Sequence, residues 1–279
     1  MNYILSFLNI VFIVKNMTYM RIEIFKEVLN NLRKLITAES EKGKTIFIYD
    51  RKSNPLEYFE ELDIHVRLDN YKDIILQEET KLELGGFKKK SFSLVYPFSN
   101  SDFSKHIKNN RITLIGPEIK YISNSTIDFG MIILIGGENI NENNWDSLKQ
   151  FNFISNGIEG FMIRTIPRKF WCRISEHVLK NFTFEFLGNA IFYLYKEKFK
   201  SLIESMEIFF INSYPELIDE SIKITSEITT SINEKWLRKI EEWKKRIDCD
   251  YDWGCEICPY QEECYDIKQV LVEREKIGK

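Results

Sequence analysis

The sequence predicts a mixed α/β fold, with α+β as the alternative, followed by a helical, cysteine-rich C-terminal segment. Two apolar runs that end in glycine, at residues 112–117 and 131–137, are typical of strands buried on both faces. Apolar residues recur at three- and four-residue steps over residues 22–36, which indicates an amphipathic first helix. Because helical and strand patterns alternate along the chain, a body of interleaved helices and strands is expected.

The remaining elements follow from periodicity and from turn residues. In chain order, the patterns predict a buried strand at residues 45–49, a helix at 55–62, an extended stretch near 64–66, a strand ending at 85–86, a strand at 92–96, the two apolar strands, a helix at 143–151, a strand beginning at 157, a largely helical stretch at 175–198, a strand at 207–212, and helices at 215–231, 234–247 and 267–276. We therefore divide the chain into an N-terminal extension or misassigned start (1–20), an α/β body (21–232) and a helix with a cysteine segment (233–279).

Composition excludes several classes of partner. The chain has 279 residues and a formal net charge of −3, so it has no global basic field that would attract nucleic acid or an anionic membrane. The apolar run at residues 3–14 is shorter than the roughly 20 residues that a membrane-spanning helix needs. It also lacks the basic start and the small-residue cleavage site of a signal peptide. We expect a cytoplasmic protein with no nucleic-acid or membrane partner.

The C-terminal cysteines are the strongest functional signal. Cys249, Cys255, Cys258 and Cys264 occur within sixteen residues, with the spacing C-x5-C-x2-C-x5-C. Thiolates are soft ligands, and a C-x2-C pair can hold one metal or two corners of a cluster. All four are therefore predicted to bind a metal cofactor, and an iron–sulfur cluster, of the 4Fe-4S type, is favoured. Zinc is the alternative, and a disulfide pair is disfavoured in a reducing cytosol.

The other candidate residues receive structural interpretations. Cys172 lies among apolar neighbours and is predicted to be a buried packing residue. His65, His106 and His177 are scattered, so no catalytic role is assigned to them, and the catalytic residues stay unknown. The glycine pairs at 85–86 and 136–137 fit no phosphate-binding motif and are interpreted as turns.

Several blocks of the chain resemble a known family. Gly254-Cys-Glu-Ile-Cys258 is similar to the Gly-Cys-x2-Cys opening of the metal-cluster region in the acetyl-CoA synthase subunit of carbon monoxide dehydrogenase complexes. The archaeal form of that subunit is the beta subunit of acetyl-CoA decarbonylase/synthase. The upstream blocks occur in the same order as in the family: Glu83-Leu-Gly-Gly, Ile112-Thr-Leu-Ile-Gly-Pro-Glu-Ile, Asp128-Phe-Gly-Met-Ile, Phe153-Ile-Ser-Asn-Gly-Ile-Glu-Gly, Trp171-Cys-Arg-Ile-Ser and Glu207-Ile-Phe-Phe-Ile.

The resemblance implies an α/β domain joined to a cluster-bearing domain, with Cys255, Cys258 and Cys264 as cubane ligands. The family combines a methyl group from a corrinoid protein, carbon monoxide and coenzyme A at a cubane coupled to two nickel sites. This chain departs from the family's cysteine spacing, and the fourth cysteine, Cys249, lies upstream. No cysteine follows Cys264, so the family's Cys-Gly-Cys nickel motif is absent. Acetyl-CoA synthesis by this chain alone is therefore not expected.

Three functions are consistent with these patterns. The first is an iron–sulfur accessory protein of anaerobic one-carbon metabolism, which transfers electrons or activates a nickel or corrinoid partner, with carbon monoxide dehydrogenase among the expected complex partners. The second is a scaffold without redox activity, in which zinc or a cluster only stabilises the C-terminal segment. The third is a partial acetyl-CoA synthase subunit that needs a partner chain. A resemblance of this kind indicates the fold more directly than the function.

Overall fold

The computed structural model describes residues 26–68, 74–86, 88–98, 106–140, 142–150, 152–166 and 169–226. These residues contain nine strands in two sheets and seven α-helices, which confirms the predicted mixed α/β class. Those up to Thr225 belong to one compact unit. The predicted extension at 1–20 and the predicted helices at 234–247 and 267–276 lie outside the described residues.

The elements have the following bounds. The helices are α1 at residues 26–41, α2 at Pro55–Glu61, α3 at Glu142–Lys149, α4 at Asn152–Gly157, α5 at Glu176–Leu179, α6 at Phe184–Lys198 and α7 at Pro215–Ile224, with a 3-10 turn at Ile119–Tyr121. The strands are β1 at Ile46–Asp50, β2 at Thr80–Gly85, β3 at Ser91–Phe98, β4 at Arg111–Ile115, β5 at Thr126–Ile127, β6 at Phe129–Gly136, β7 at Phe161–Ile166, β8 at Lys169–Ser175 and β9 at Ser205–Asn212.

Both sheets are mixed. The five-stranded sheet has the order β1-β4-β9-β6-β3, in which β4 runs parallel to β9, β6 runs parallel to β3, and the other two pairs are antiparallel. The four-stranded sheet has the order β5-β2-β8-β7, with only the short β5–β2 pair parallel. The two sheets approach each other where Ser91 at the start of β3 accepts a hydrogen bond from the Phe170 N–H in β8 (3.2 Å).

Helices cover the two faces of the five-stranded sheet. The central strands β6 and β9 are buried along their whole length, as the apolar runs predicted for β6. Successive side chains of a strand point to opposite faces. Accordingly, Ile208 and Phe210 join the large core that includes α6, whereas Ile211 packs with Leu35 of α1 and Leu217 of α7. Within the described residues, no helix combines the length and the apolar character that crossing a membrane requires.

Two predictions about local structure are wrong. The strand at residues 45–49 was expected to be buried, but β1 is an edge strand of its sheet and Ile48 is 56% exposed. The strand expected to begin at Gly157 begins instead at Phe161, because Gly157 ends α4. At Gly160 the backbone adopts φ of +63°, so this glycine supplies the turn into β7.

Candidate functional site

The four predicted metal ligands, Cys249, Cys255, Cys258 and Cys264, lie outside the described residues, so their role and the cofactor stay predictions. The described part of the chain contains no group of three or more His, Cys, Asp or Glu side chains that could hold a metal ion.

Cys172 is a packing residue, as the sequence predicted. It lies in β8 between Leu84 of β2 and Ile163 of β7, and it is 1% exposed. Burial raises the pKa of its thiol well above the ordinary value, so the thiol stays protonated. A buried, protonated thiol is neither a metal ligand nor an accessible nucleophile.

A cluster of polar side chains with acid–base character is centred on Glu159. The Nδ1 atom of His65 lies 2.8 Å from Oε2 of Glu159, and the Nε2 atom of His177 lies 3.7 Å from Oε1. On its other side, His177 places Nδ1 2.8 Å from the Ser175 hydroxyl. Three segments that are distant in sequence therefore bring together, in this order, an imidazole, a carboxylate, a second imidazole and a hydroxyl.

Backbone pairing brings these residues together. The segment around His65 runs antiparallel to the turn that follows α4, with a bridge between Val66 and Ile158. The Glu159 N–H donates to the His65 carbonyl (3.1 Å), and the His65 N–H donates back to the Glu159 carboxylate (3.1 Å). Ser175 ends β8, and its N–H donates to the Gly160 carbonyl (2.9 Å), so the Ser175–His177 pair lies beside Glu159.

The electrostatics of this cluster favour an ionised Glu159. Burial opposes the carboxylate, but hydrogen bonds from the His65 side chain and backbone, with the charges of His65 and His177, outweigh it and lower the pKa of Glu159. Ser175 is only 5% exposed, and the 3.7 Å gap between His177 and Glu159 exceeds hydrogen-bond distance. The arrangement can hold a proton between His65 and Glu159, but it presents no accessible serine nucleophile.

Sequence reasoning missed this cluster. His65 and Glu159 are separated by 94 residues, and no spacing rule connects them. His177 and Ser175 are near neighbours, yet their i,i+2 spacing is not a recognised motif. The third histidine, His106, lies apart from the cluster, and its carbonyl accepts a hydrogen bond from the Arg33 guanidinium (2.6 Å).

Residues of the blocks that carry the family resemblance make contacts that hold the fold together. Glu83 in β2 accepts a hydrogen bond from the guanidinium of Arg173 in β8 (3.0 Å). Glu118, which follows β4, accepts hydrogen bonds from the N–H groups of Phe184 (3.1 Å) and Glu185 (3.4 Å) at the start of α6. These residues join strands and helices, so the blocks encode the body of the fold.

The first glycine pair behaves as predicted. Gly85 and Gly86 have φ of +81° and +108°, which L side chains rarely adopt. They end β2, where the Gly86 N–H donates to the Phe170 carbonyl (3.3 Å). The prediction that a strand ends at this pair is therefore confirmed.

Comparison with known proteins identifies the family. A model of the CO dehydrogenase/acetyl-CoA synthase complex beta subunit matches residues 68–217, which is more than half of the chain. The chain belongs to this family. The matched region contains the strands β2 to β9 and ends in the first turn of α7. It includes Glu159, Ser175 and His177. It ends before the cysteine segment, so family membership rests on the α/β body.

A curated relative supports the same assignment. The chain is 32% identical over 105 residues to the acetyl-CoA decarbonylase/synthase complex subunit beta of Methanopyrus kandleri. The alignment covers 37% of this chain and 22% of that relative. The chain therefore aligns with about a fifth of the relative's length, and the resemblance seen in the sequence blocks is confirmed at the level of the family.

Proposed function

We propose that this beta-subunit family member is a cytoplasmic iron–sulfur accessory protein of anaerobic one-carbon metabolism, which transfers electrons to, or supports activation of, a nickel or corrinoid partner. In this proposal Cys249, Cys255, Cys258 and Cys264 hold a 4Fe-4S cluster. The observation that carries the proposal is the grouping of these four thiols within sixteen residues. Four thiolates are the donor set that such a cluster requires.

The body of the fold narrows the choice of ligands. The chain has five cysteines, and the fifth, Cys172, is buried in β8 with a raised thiol pKa. Cys172 is thus unsuited to complete a cluster. If a cubane has four protein thiolates, they must be the four C-terminal cysteines.

The proposed partner is another protein of the same kind of complex. The relative from Methanopyrus kandleri is named as a subunit of the acetyl-CoA decarbonylase/synthase complex. We infer that this chain also binds a partner, of the carbon monoxide dehydrogenase, corrinoid or nickel-protein class.

Metal analysis after purification without oxygen tests the cofactor. We expect about four irons and four sulfides per chain, with a broad absorption band that dithionite bleaches. Cys258→Ala should lose most of the iron, whereas Cys172→Ala, the matched control, should keep it. Stoichiometric zinc without iron would contradict the proposal and favour the scaffold function.

A second measurement tests the redox role separately from the cofactor. The dithionite-reduced protein, freed of excess dithionite, is mixed with an oxidised corrinoid protein, and cobalt reduction is followed by absorbance. Each cluster should lose one electron, and the number of electrons lost should equal the number of cobalt ions reduced in one-electron steps. An intact cluster that passes no electrons to corrinoid or nickel proteins would contradict this role.

A further inference from the structure

The first strand, β1, forms one edge of the five-stranded sheet. It pairs only with β4, in an antiparallel register that runs along the whole strand without a bulge. Two hydrogen bonds at the ends of this pairing show which residues bond to β4. The Gly116 N–H donates to the Thr45 carbonyl (3.0 Å), and at the other end the Arg51 N–H donates to the Asn110 carbonyl (2.7 Å).

The backbone groups on the open side of β1 belong to Ile46, Ile48 and Asp50. In an antiparallel pair, positions that bond to the neighbouring strand alternate with positions that do not. Because Thr45 and Arg51 bond to β4, the residues with even numbers between them direct their N–H and C=O groups away from it. Within the described residues, these groups form no hydrogen bond. An unpaired edge of this kind is a template for a further strand.

The side chains along this edge are apolar at the centre and charged at the ends. Those of Ile46, Ile48 and Asp50 share one face of the sheet, because side chains alternate along a strand. Ile46 packs with Leu35 of α1, but Ile48 is 56% exposed, so α1 does not cover the centre of β1. Asp50 is also exposed, and its carboxylate forms no ion pair with the described part of the chain.

Lys44 provides a positive charge at the other end of the edge. Its Nζ atom lies 2.7 Å from a Glu39 carboxylate oxygen and 2.9 Å from a Glu216 carboxylate oxygen, so the ammonium is held beside the start of β1. An ammonium group has three donors, and one therefore stays available for another acceptor. In chain order, the edge carries a positive charge, two isoleucines and a negative charge, which is complementary to a reversed copy of itself.

We propose that the β1 edge, defined as residues 44–50, binds a second copy of this chain. The two β1 strands run antiparallel about a two-fold axis, with Ile46 of one copy opposite Ile48 of the other. Both residues point their backbone groups to the open side, so they can exchange hydrogen bonds across the interface. The same register places Lys44 opposite Asp50, and the two-fold axis repeats each of these contacts.

Charge selects this register over the neighbouring one. If Ile48 lay opposite itself, Asp50 would face Ile46 and would gain no cation directly opposite. In the proposed register the exposed Ile48 is covered by an apolar side chain, and the unpaired Asp50 gains an ammonium partner. β1 lies outside the region that matches the family model, and the interface uses no residue of the cysteine segment.

Analytical ultracentrifugation of the full chain over a range of concentrations tests this interface. The protein is purified without oxygen and kept with a reductant, so that disulfides cannot produce dimers. We expect a monomer–dimer equilibrium that Ile48→Pro abolishes. The Ile48 N–H points to the open side, so proline at this position removes a donor of the interface without removing a hydrogen bond between β1 and β4.

Charge reversal tests the same interface without a backbone change. Asp50→Lys turns two attractive cross-strand pairs into two repulsive ones and should raise the dimer dissociation constant by about tenfold or more. Glu78→Lys, the matched control, makes the same charge change at an exposed residue before β2 and should leave dimerisation unchanged. Circular dichroism and urea unfolding show whether each variant is folded.

Three results would overturn the proposal. They are a wild-type chain that stays monomeric up to about 100 μM, a folded Ile48→Pro variant that still dimerises, and equal weakening by Asp50→Lys and Glu78→Lys. If Ile48→Pro does not fold, the comparison of the two charge variants decides alone. None of these outcomes depends on the metal content, so failure of this interface and failure of the proposed cluster are distinguishable.

Discussion

At the scale of single residues, two carboxylates have opposite electrostatic environments. Glu207 lies in β9 and is 1% exposed, with the Lys108 N–H (2.8 Å) and the Arg33 guanidinium (3.3 Å) as its donors. Burial raises the pKa of Glu207 even though these donors favour the carboxylate. Glu159 has two histidines beside it, and its pKa is lowered. The two residues should therefore affect stability with opposite dependence on pH.

Glu207→Gln tests the raised pKa. Because burial raises the pKa of Glu207 in the folded protein, its contribution is fully present below its ordinary pKa of 4.5 and is lost as the pH rises through the higher folded value. The wild type should gain stability relative to the variant as the pH falls, by about 1.4 kcal/mol for each unit by which the pKa is raised. Urea unfolding of both proteins across this range measures the difference.

The competing interpretation of Glu207 predicts the opposite change of stability with pH. If the ion pair with Arg33 outweighed burial, the pKa would be lowered, and the wild type would lose stability relative to Glu207→Gln on acidification. Glu83→Gln is a suitable comparison with Glu207→Gln, because Glu83 also pairs with an arginine but is more exposed. It therefore removes an arginine pair without the deep burial of Glu207.

Glu159→Gln should show the reverse trend. The contribution of an acid with a lowered pKa is present above its ordinary value of 4.5 and is lost as the pH falls through the lower folded value. We expect the variant to be less stable at neutral pH by under about 1 kcal/mol, because both histidine side chains are more than half exposed. The two proteins should converge in acid. Unfolding curves that differ equally at all pH values would contradict an ionic role for Glu159.

At the scale of elements, the position of α6 depends on one buried carboxylate. Glu118 accepts hydrogen bonds from the first N–H groups of α6, from the Ile119 N–H (2.9 Å) and from the Tyr49 hydroxyl (3.1 Å). Thr183 adds the side-chain cap, accepting from the Phe186 N–H (2.9 Å). A negative charge at a helix N-terminus also interacts favourably with the helix dipole. This single residue therefore connects β1, the 3-10 turn and α6.

Glu118→Ala should destabilise the fold more than removal of the Thr183 side-chain cap of α6 does. It leaves several buried donors unpaired, so we expect a loss of about 2–3 kcal/mol in the free energy of unfolding. Glu118→Gln keeps one acceptor oxygen and should cost less. Thr183→Ala should cost about 1 kcal/mol, as for a typical cap. Urea unfolding followed by circular dichroism measures all three, and equal losses in Glu118→Ala and Thr183→Ala would contradict the proposed role.

The sequence predicted individual helices and strands better than it predicted which elements and side chains lie next to one another. Buried β6 and α2 follow from local apolar runs and from Pro55 at the start of the helix, so both were found. The exposure of Ile48 depends on β1 pairing with β4 alone, and no local pattern shows strand order. For the same reason the Glu159 cluster escaped detection, whereas the buried environment of Cys172 follows directly from its apolar neighbours.

At the scale of the whole molecule, the family assignment and the proposed chemistry belong to different parts of the chain. The family match covers residues 68–217, which contain eight of the nine strands of the two sheets. The proposed cluster ligands at 249–264 follow the match in sequence. Shared ancestry therefore accounts for the body, while the function of the cysteine segment must be established by its own measurements.

This division predicts that the body folds without the cysteine segment. All nine strands and seven helices of the described fold end before Thr225, and both apolar clusters are built from them. A chain ending at residue 232, the predicted boundary of the body, should show one cooperative urea transition and contain no iron, whereas the full chain purified beside it without oxygen should carry the cluster. A fragment that fails to fold would show that the C-terminal segment stabilises the body, and iron in a folded fragment would exclude the four cysteines as the ligands.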